Sequence, residues 1–587
     1  MRTNLADHLR SLPDAVLGAL LQRRPDLVVP VPADVSALAV RAQSRVSVAR
    51  ALDGLDEFTL QILDAARLTR GPQDGVTSVD AVLAMAAGGA HGGEAQAVRA
   101  ALRRLRDLLL LYGPDTALHV VGSVDEVCSP YPAGLGRPAP DLSPTAAALC
   151  ADPAGLRRAL LSAPPPARAV LDRLAAGPPV GTTAAPTQTG EDAGDSPVRW
   201  LVARQLLVPV ELPSNAVPGA PATAGDNSYD AVELPRELGL LLRRDSGPLG
   251  PLRPRPPEVN SPAREPSAVD SAGAGQAMET VRQVEAILDA LGAEPPPMLR
   301  TGGLGVRELR RIARIAGVDD GVAALLVEIA YAAGLAGETE LPAARGTDRP
   351  AARGPAAVTQ VLLPTLAYDA WQASPVAARW HELARAWLAM ARQPGLVGQR
   401  DGRDRVVTAL SAEVERAAAP TARRAVLTPL ADLPPGAAPT ADELLRLLAW
   451  HRPRRVKSRE AVYREALDEA ARLGVTGLGA LTSYGRLLLA PGADEATDDP
   501  LGLRPDADEP PTPSQVTRVL DALLPAPVDH MLVQADLTIV VPGPPEPALA
   551  AELDLVAEHE SAGGAGVYRV TADSIRRAMD AGYAAED

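Results

Sequence analysis

The stretch DEFTLQILDAARL (Asp56–Leu68) sets Phe58, Ile62, Leu63 and Ala66 at helical spacing, and together with the three segments after it this stretch decides the fold. Thr77–Met85 opens with a hydroxyl cap before Val79, Val82 and Leu83. Ala95–Leu109 predicts a third helix. LLLYGPDTALHVV (Leu109–Val121) then reads as a two-stranded hairpin turning at Gly113-Pro114. Three helices and a β-wing describe a winged helix; the alternative is a three-helix bundle that carries a hairpin. Weaker echoes run over Pro165–Pro209 (VLDRLAAG, then VRWLVARQLLVPV) and Met278–Leu335 (VEAILDAL, LGVRELRRIARIAGV, VAALLVEIAYAAGLA). No identical repeat links the three, so what recurs is an architecture and not a sequence period.

Outward from these units, Pro, Gly, Ser and Thr concentrate at the joints. Asp245–Gln276, with GPLGPLRPRPPEVNSPAREP, lacks apolar periodicity and reads as a linker, because it cannot bury enough surface to offset its ordering entropy. Shorter joints fall at Thr182–Pro197, Leu212–Asn227, Gly337–Ala357 and Pro491–Pro513. The expected organisation is a helical and winged-helix-like domain over 1–150, a second such unit over 151–244, and a Pro-rich linker over 245–277. A third unit over 278–336, a helical domain over 358–490 and a small α/β domain over 514–587 complete it. In the helical domain Trp371, Trp380 and Trp387 are expected as core anchors. The fold class is mainly α and multidomain, winged-helix-like units followed by a small C-terminal α/β domain.

At 587 residues the chain holds several cores. Hydrophobic residues make up 46% but aromatics only 3%, so those cores are built from Ala, Leu and Val, which favours helix packing. Lys457 is the sole lysine, and nearly all 58 basic residues are arginine. The net charge of −15 repels a phosphate backbone at long range, so DNA contact must come from local arginine clusters. No stretch reaches about 18 uninterrupted apolar residues, and MRTNLADHLRSLP lacks the apolar core of a signal peptide. A soluble cytoplasmic protein is expected, with nucleoid association open and no membrane partner.

The chemistry of an enzyme is missing. An NTPase needs GxxxxGK[ST] so that backbone amides and one lysine neutralise the β- and γ-phosphates. The sole lysine sits in RPRRVKS with no glycine before it. The tetrads DEVC (Asp125–Cys128) and DEAT (Asp494–Thr497) superficially match a helicase Mg²⁺ box, but without a phosphate loop they read as solvated turns. There is no GxSxG elbow, and the histidines lack metal-ligand spacing; His8, His119 and His381 lie in contexts of ordinary packing. Cys128 and Cys150 have no basic neighbour in sequence. No enzyme, no cofactor, no metal and no small-molecule substrate are expected.

Three basic runs are candidate nucleic-acid contacts. Arg99, Arg103, Arg104 and Arg106 lie on the third helix of the first unit, the one that enters the major groove in a winged helix. Arg307, Arg310, Arg311 and Arg314 share one helical face. HRPRRVKSR (His451–Arg459) is a short basic loop offering Arg452, Arg454, Arg455 and Lys457. Each run is either a solvated face paired with Asp and Glu neighbours or a phosphate contact. None interleaves aromatics for base stacking, which disfavours single-strand binding.

The last segment changes character. MLVQADLTIVVPG (Met531–Gly543) predicts a strand rich in β-branched residues. A helix over Pro547–Glu560, a Gly-rich turn, a strand over Val567–Val570 and a capped helix from Thr571 come next. LVQADLTIVVPG with AEHESAGGAGVYRVTADSIRRAMDAG resembles the domain found at the N-terminus of XPB-type helicases. SLPDAVLGALLQRRPDL and TGGLGVRELRRIARIAGV fit actinobacterial helicase-associated proteins of that group, which lack motor motifs. The resemblance implies a protein-binding module, with Gln534, Asp536, Thr538, Tyr568 and Arg569 at its partner interface. It also implies an order, winged helices before this module, like the subunit that clamps the XPB motor within TFIIH. Family members usually continue past this helix, so a truncated or split domain is one expectation. Gln515–Asp587 holds twelve acidic residues against four arginines, a net of −8, which suits a basic partner and not DNA.

The implied role is a non-catalytic adaptor or regulator docking on an XPB-type helicase or similar motor, with duplex contact left open, in DNA repair or transcription. The alternatives are a DNA-binding transcriptional regulator whose C-terminal domain dimerises, and a protein-binding scaffold.

Overall fold

The computed structural model describes residues 4–71, 74–87, 93–182, 196–211, 230–244, 247–342, 358–490, 514–562 and 566–584. The chain divides into two compact units. One is Met1–Glu258 with Ala449–Ser458; the other is Val259–Leu448 with Arg459–Asp587. Helices dominate both, and the sheets are small and antiparallel. Among the described residues no helix is long and apolar enough to cross a membrane.

The first unit opens with α1 to α4 (Leu5–Ser11, Asp14–Arg23, Val35–Ala42 and Arg45–Leu52). Next come α5 (Glu57–Leu68), β1 (Val76–Thr77), α6 (Val79–Ala87), α7 (Gly93–Asp107), β2 (Leu111–Tyr112) and β3 (Leu118–Val120). Asp56 caps α5 by accepting from the Thr59 amide at 2.7 Å. The hydroxyl that caps α6 is Ser78, since Thr77 is taken up by β1. The hairpin pairs Leu111 with Val120 and Tyr112 with His119, and β1 adds to its other side. Phe58, Ile62, Leu63 and Ala66 are all buried, together with Val98, Leu102 and Leu105 of α7. The helical spacing that predicted α5 is therefore the spacing of its core face.

Short helices α8 to α11 (Ser123–Val127, Ala139–Leu142, Pro144–Ala151 and Pro153–Leu161) lead to a second set. It contains α12 (Pro165–Ala176), β4 (Val180–Thr182), α13 (Pro197–Ala203), β5 (Val208–Glu211), β6 (Asp230–Glu233) and α14 (Arg236–Leu242). Its boundary falls earlier than 151. Arg137 donates from its backbone and side chain to the buried Glu233 carboxylate, both at 2.7 Å, and Ala139 and Ala146 pack on Val208.

In the second unit the Pro-rich run ends sooner than its composition suggests. Pro266 opens α15 (Pro266–Ala293), a 28-residue helix, where 245–277 was expected to be linker. Upstream of it, Gln61 of α5 donates to the Pro251 carbonyl at 3.1 Å and Leu249 is buried in the first core, so that run lies along α5. α16 (Val306–Ala316), α17 (Asp320–Ala332), β7 (Ala336–Pro342) and β8 (Val358–Pro364) come after it. β8 pairs with β7 along its whole length, so it belongs with the third set and not with the helical domain.

That helical domain begins with α18 (Leu366–Gln372) and α19 (Val376–Ala389) and then repeats the same order. α20 (Ala419–Asp432), α21 (Ala441–His451), α22 (Pro453–Val456) and α23 (Glu460–Arg472) precede the hairpin β9 (Thr476–Gly477) and β10 (Ala480–Leu481), which α24 (Ser483–Leu489) closes. Trp371, Trp380 and Trp387 are buried as expected, with the Trp380 indole donating to the Leu473 carbonyl at 2.6 Å. The hairpin presses on α15 through small residues. A Cβ on Gly477 would lie 2.2 Å from the Val269 carbonyl oxygen, and one on Gly273 2.5 Å from Thr482. Gly477→Ala is expected to cost about 1–3 kcal/mol through forced separation of helix and hairpin. Urea unfolding measures it, and an unchanged midpoint would mean the contact is loose.

α25 (Gln515–Asp521) buries Val516 and Leu520 and packs on α19 and α24, so the C-terminal α/β part starts after it, later than residue 514. That part contains β11 (Leu532–Val533), β12 (Thr538–Val541), α26 (Pro547–Val556), β13 (Glu558–Ala562), β14 (Gly566–Arg569) and α27 (Ala572–Asp580). The strand order is β11-β12-β14-β13. Met531–Gly543 is thus a hairpin and not one strand: Gln534 donates back to the Thr538 carbonyl, and Leu537 turns the chain with φ 66°. The helix expected over Pro547–Glu560 stops at Val556, and its tail is β13. Thr571 and Ser574 form the capping box of α27.

Candidate functional site

α7 divides its four arginines by role. Val98, Ala101, Leu102 and Leu105 occupy the buried face, which leaves Arg99 and Arg103 exposed one turn apart. Arg104 leans back to the turn before α5, pairing with the Asp56 carboxylate and donating to the Gly54 carbonyl at 3.1 Å. Arg106 fastens the hairpin to the helix, at 2.6 Å from Asp115 and 3.3 Å from the Gly113 carbonyl. Among the described residues Arg99 and Arg103 have no acidic partner.

The run His451–Arg459 is not the loop expected. It contains α22, anchored by the buried Val456, and Trp450 just before it is buried in the core of α5 and α7. The Trp450 indole donates to the Arg253 carbonyl at 3.0 Å. Arg454 pairs with Asp53 at 3.1 Å, across a sequence separation of 401 residues. Arg452 and Lys457 are exposed and Arg455 is half-buried, and among the described residues none of the three has an acidic partner.

Two of the three basic runs therefore meet at one turn, Asp53–Asp56. Its acids are already matched: Asp53 by Arg454, Asp56 by Arg104, and the adjacent Glu57 by Arg253 at 3.8 Å. The cations left over, Arg99, Arg103, Arg452, Arg455 and Lys457, lie on the two segments that Arg104 and Arg454 tie to this turn, a local excess of positive charge within an acidic protein. Nothing local in the sequence could have found Asp53 or Arg253 as its members.

The third run stands in the other unit. Arg311 is held by Glu308 at 3.0 Å and Glu294 at 3.1 Å, and Arg310 by Asp320 at 3.1 Å. Arg307 and Arg314 are exposed without an acidic partner among the described residues. α17, which holds the third-helix place in this set, is buried from Val322 to Ala330 and carries no arginine. It presents no basic face.

At the C-terminal sheet the five residues expected at a partner interface separate. Thr538 and Tyr568 are buried in the sheet's core. Gln534 and Asp536 are exposed in the β11–β12 turn, and Arg569 is half-exposed and paired with Glu560.

The acidic tetrad at Asp125 is tied into the scaffold. Burial alone would raise the Asp125 carboxyl, but hydrogen bonds from Arg70 (2.7 Å) and Arg67 (2.8 Å) outweigh it and hold it below the usual range. The second tetrad, Asp494–Thr497, lies outside the described residues. Burial pushes both thiols up, that of Cys150 to about 11, the reverse of what activates a thiolate nucleophile. His119 stacks on Tyr112 with ring centres 5.0 Å apart.

Set against known proteins, residues 531–587 match the family described as the helicase conserved C-terminal domain. No match to a curated protein was found. The family match covers roughly a tenth of the chain, and it supports a helicase-related role for the protein.

Proposed function

We propose that the protein is a non-catalytic, helicase-associated adaptor that docks on an XPB-type DNA helicase through its C-terminal α/β part and contacts duplex DNA through its first unit, in DNA repair or transcription. The observation that carries this reading is the helicase-type segment itself. It is one small sheet with two helices, in a chain whose only lysine lies in α22's neighbourhood and outside any phosphate loop. A small segment without a phosphate-loop lysine beside it supports a part that a partner holds over a part that turns over a nucleotide. The order helix, strand, helix, helix, hairpin in α5–β3 supports a winged-helix reading of the first set, with α7 in the place of the groove-reading helix. The net charge of −8 over Gln515–Asp587 supports a basic protein partner there.

The test compares the full chain with a form lacking Ala526–Asp587, which keeps α25 on the helices it packs against. Binding to the purified XPB-type helicase of the same genome is expected for the full chain and lost, by about 100-fold or more, in the shortened form. Equal binding by both forms would sink the docking reading.

The exposed arginines of α7 favour a second reading, a DNA-binding transcriptional regulator with the C-terminal part used for dimerisation. It predicts a dimer in solution, which a net −8 on each copy of that part opposes.

A further inference from the structure

We propose that the open edge of the C-terminal sheet, at β11, takes up an extended basic segment of a partner protein as an additional strand. This rests on the docking reading above and names where and how the docking occurs.

The two edges of the sheet are built differently. β13 carries the exposed acids Glu558 and Glu560, and its register on β14 shifts between His559 and Ser561. Charge and irregularity are the usual protections of an edge against pairing with another chain. β11 has neither. Met531, Leu532 and Val533 are 37%, 57% and 65% exposed, and its register on β12 is regular, Leu532 with Val540 and Val533 with Ile539. Leu537, at the turn that closes the hairpin, is 58% exposed.

The backbone of this edge is also free. Gln534 donates to Thr538 across the hairpin, so in the alternation of an antiparallel pair Val533 directs its own N–H and C=O away from β12. Among the described residues no strand pairs with that side. Within the two-residue β11 this outward donor and acceptor pair is one rung that another strand can satisfy, and the apolar side chains of Met531, Leu532 and Val533 beside it supply the selectivity of strand addition.

Charge decides the occupant. The part that bears this edge carries a net −8, so a second copy is repelled and a segment rich in Lys or Arg is attracted. The partner strand is therefore basic, with apolar residues at the two successive positions that meet Leu532 and Val533, one on each face of the sheet.

The experiment uses the full chain and the purified XPB-type helicase of the same genome, with binding measured by calorimetry and amide hydrogen exchange followed in the complex. Strand addition is expected to slow exchange over Met531–Gln534, and Val533→Lys to weaken binding about tenfold or more with an unchanged thermal midpoint, by setting a cation against a basic partner. Glu552→Gln on the exposed side of α26, which changes the net charge by the same one unit as Val533→Lys, is the control and should bind within about twofold of the parent chain. A complex that forms without added protection at Met531–Gln534, or that tolerates Val533→Lys, overturns the edge proposal and leaves docking intact. No complex with the parent chain overturns both. A dimer of the chain alone that Val533→Lys abolishes would make the occupant a second copy and overturn the proposal as stated. The exchange measurement needs no variant, so it decides even if Val533→Lys is unstable.

Discussion

Arg423→Ala is expected to destabilise the second unit by about 3–5 kcal/mol, because it leaves an uncompensated charge in the interior. Arg423 of α20 is 3% exposed and Glu469 of α23 is 6% exposed. The guanidinium donates to Glu469 at 2.9 Å and to the carbonyls of Met390 and Arg392, both at 2.8 Å. The Trp387 indole donates to the same Glu469 oxygen at 2.6 Å, and the guanidinium lies 5.5 Å from the centre of its ring. Truncation strands one carboxylate and two carbonyls at once, and the indole alone cannot neutralise Glu469. Arg423→Lys should recover only part of the loss, since an ammonium cannot serve three acceptors in a fixed fork. Urea unfolding followed by tryptophan emission reads both variants. A midpoint for Arg423→Ala equal to that of the parent chain would mean that Glu469 is solvated in a way its burial does not allow.

The same network shows what sequence reading reaches and where it ends. Helical spacing in Asp56–Leu68 located α5 and its buried face because the period of a surface helix records the core it sits on. The hairpin after α7 was legible from Gly113-Pro114 between two apolar runs. The fourth recurrence of the order, α20 to β10, was not, although its helices are as periodic. Its β9–β10 hairpin is only two residues to a strand, too short to leave an alternating pattern. α15 was half missed for a different reason. Its first turns read SAGAG because a hairpin presses on them, and small residues look like linker when the partner that needs them lies some 200 positions away. Leu537 was missed because left-handed backbone at a leucine has no sequence signature.

The basic runs were found as residues but not as a site. Composition could not separate Arg104 and Arg106, which fasten the turn and the hairpin, from Arg99 and Arg103, which face outward. Nor could it bring Arg454 to Asp53. A helix face is written in local spacing, whereas a surface assembled from α7 and α22 is written only in the packing of Trp450 into the first core. That assembly also lets a chain of net charge −15 carry a local excess of cations, as the proposed DNA contact requires. The acids of the turn are spent on Arg104, Arg454 and Arg253, and the excess cations sit beyond them.

Removing Arg99, Arg103, Arg452 and Lys457 together by alanine substitution is expected to lower affinity for duplex DNA by about 100-fold near 100 mM salt and to cut the salt dependence. Each cation that meets a phosphate contributes about 0.9 to the slope of log affinity against log salt, so losing four contacts lowers the slope by about 3–4. The four side chains are exposed and carry no acidic partner among the described residues, so the fold should not respond to their loss. Arg104→Ala and Arg454→Ala should behave otherwise. They uncover Asp56 and Asp53, add negative potential to the same face, and weaken binding without removing a direct contact. Fluorescence anisotropy on a labelled duplex of about twenty base pairs, across a salt series, reads both classes. No binding by the parent chain at low salt sinks the DNA contact outright. Binding whose slope the fourfold variant leaves unchanged sinks this face as its place and turns attention to Arg307 and Arg314 of α16. A slope reduced by the fourfold variant and an intercept shifted by Arg104→Ala would together mark α7 and the Ala449–Ser458 segment as one surface.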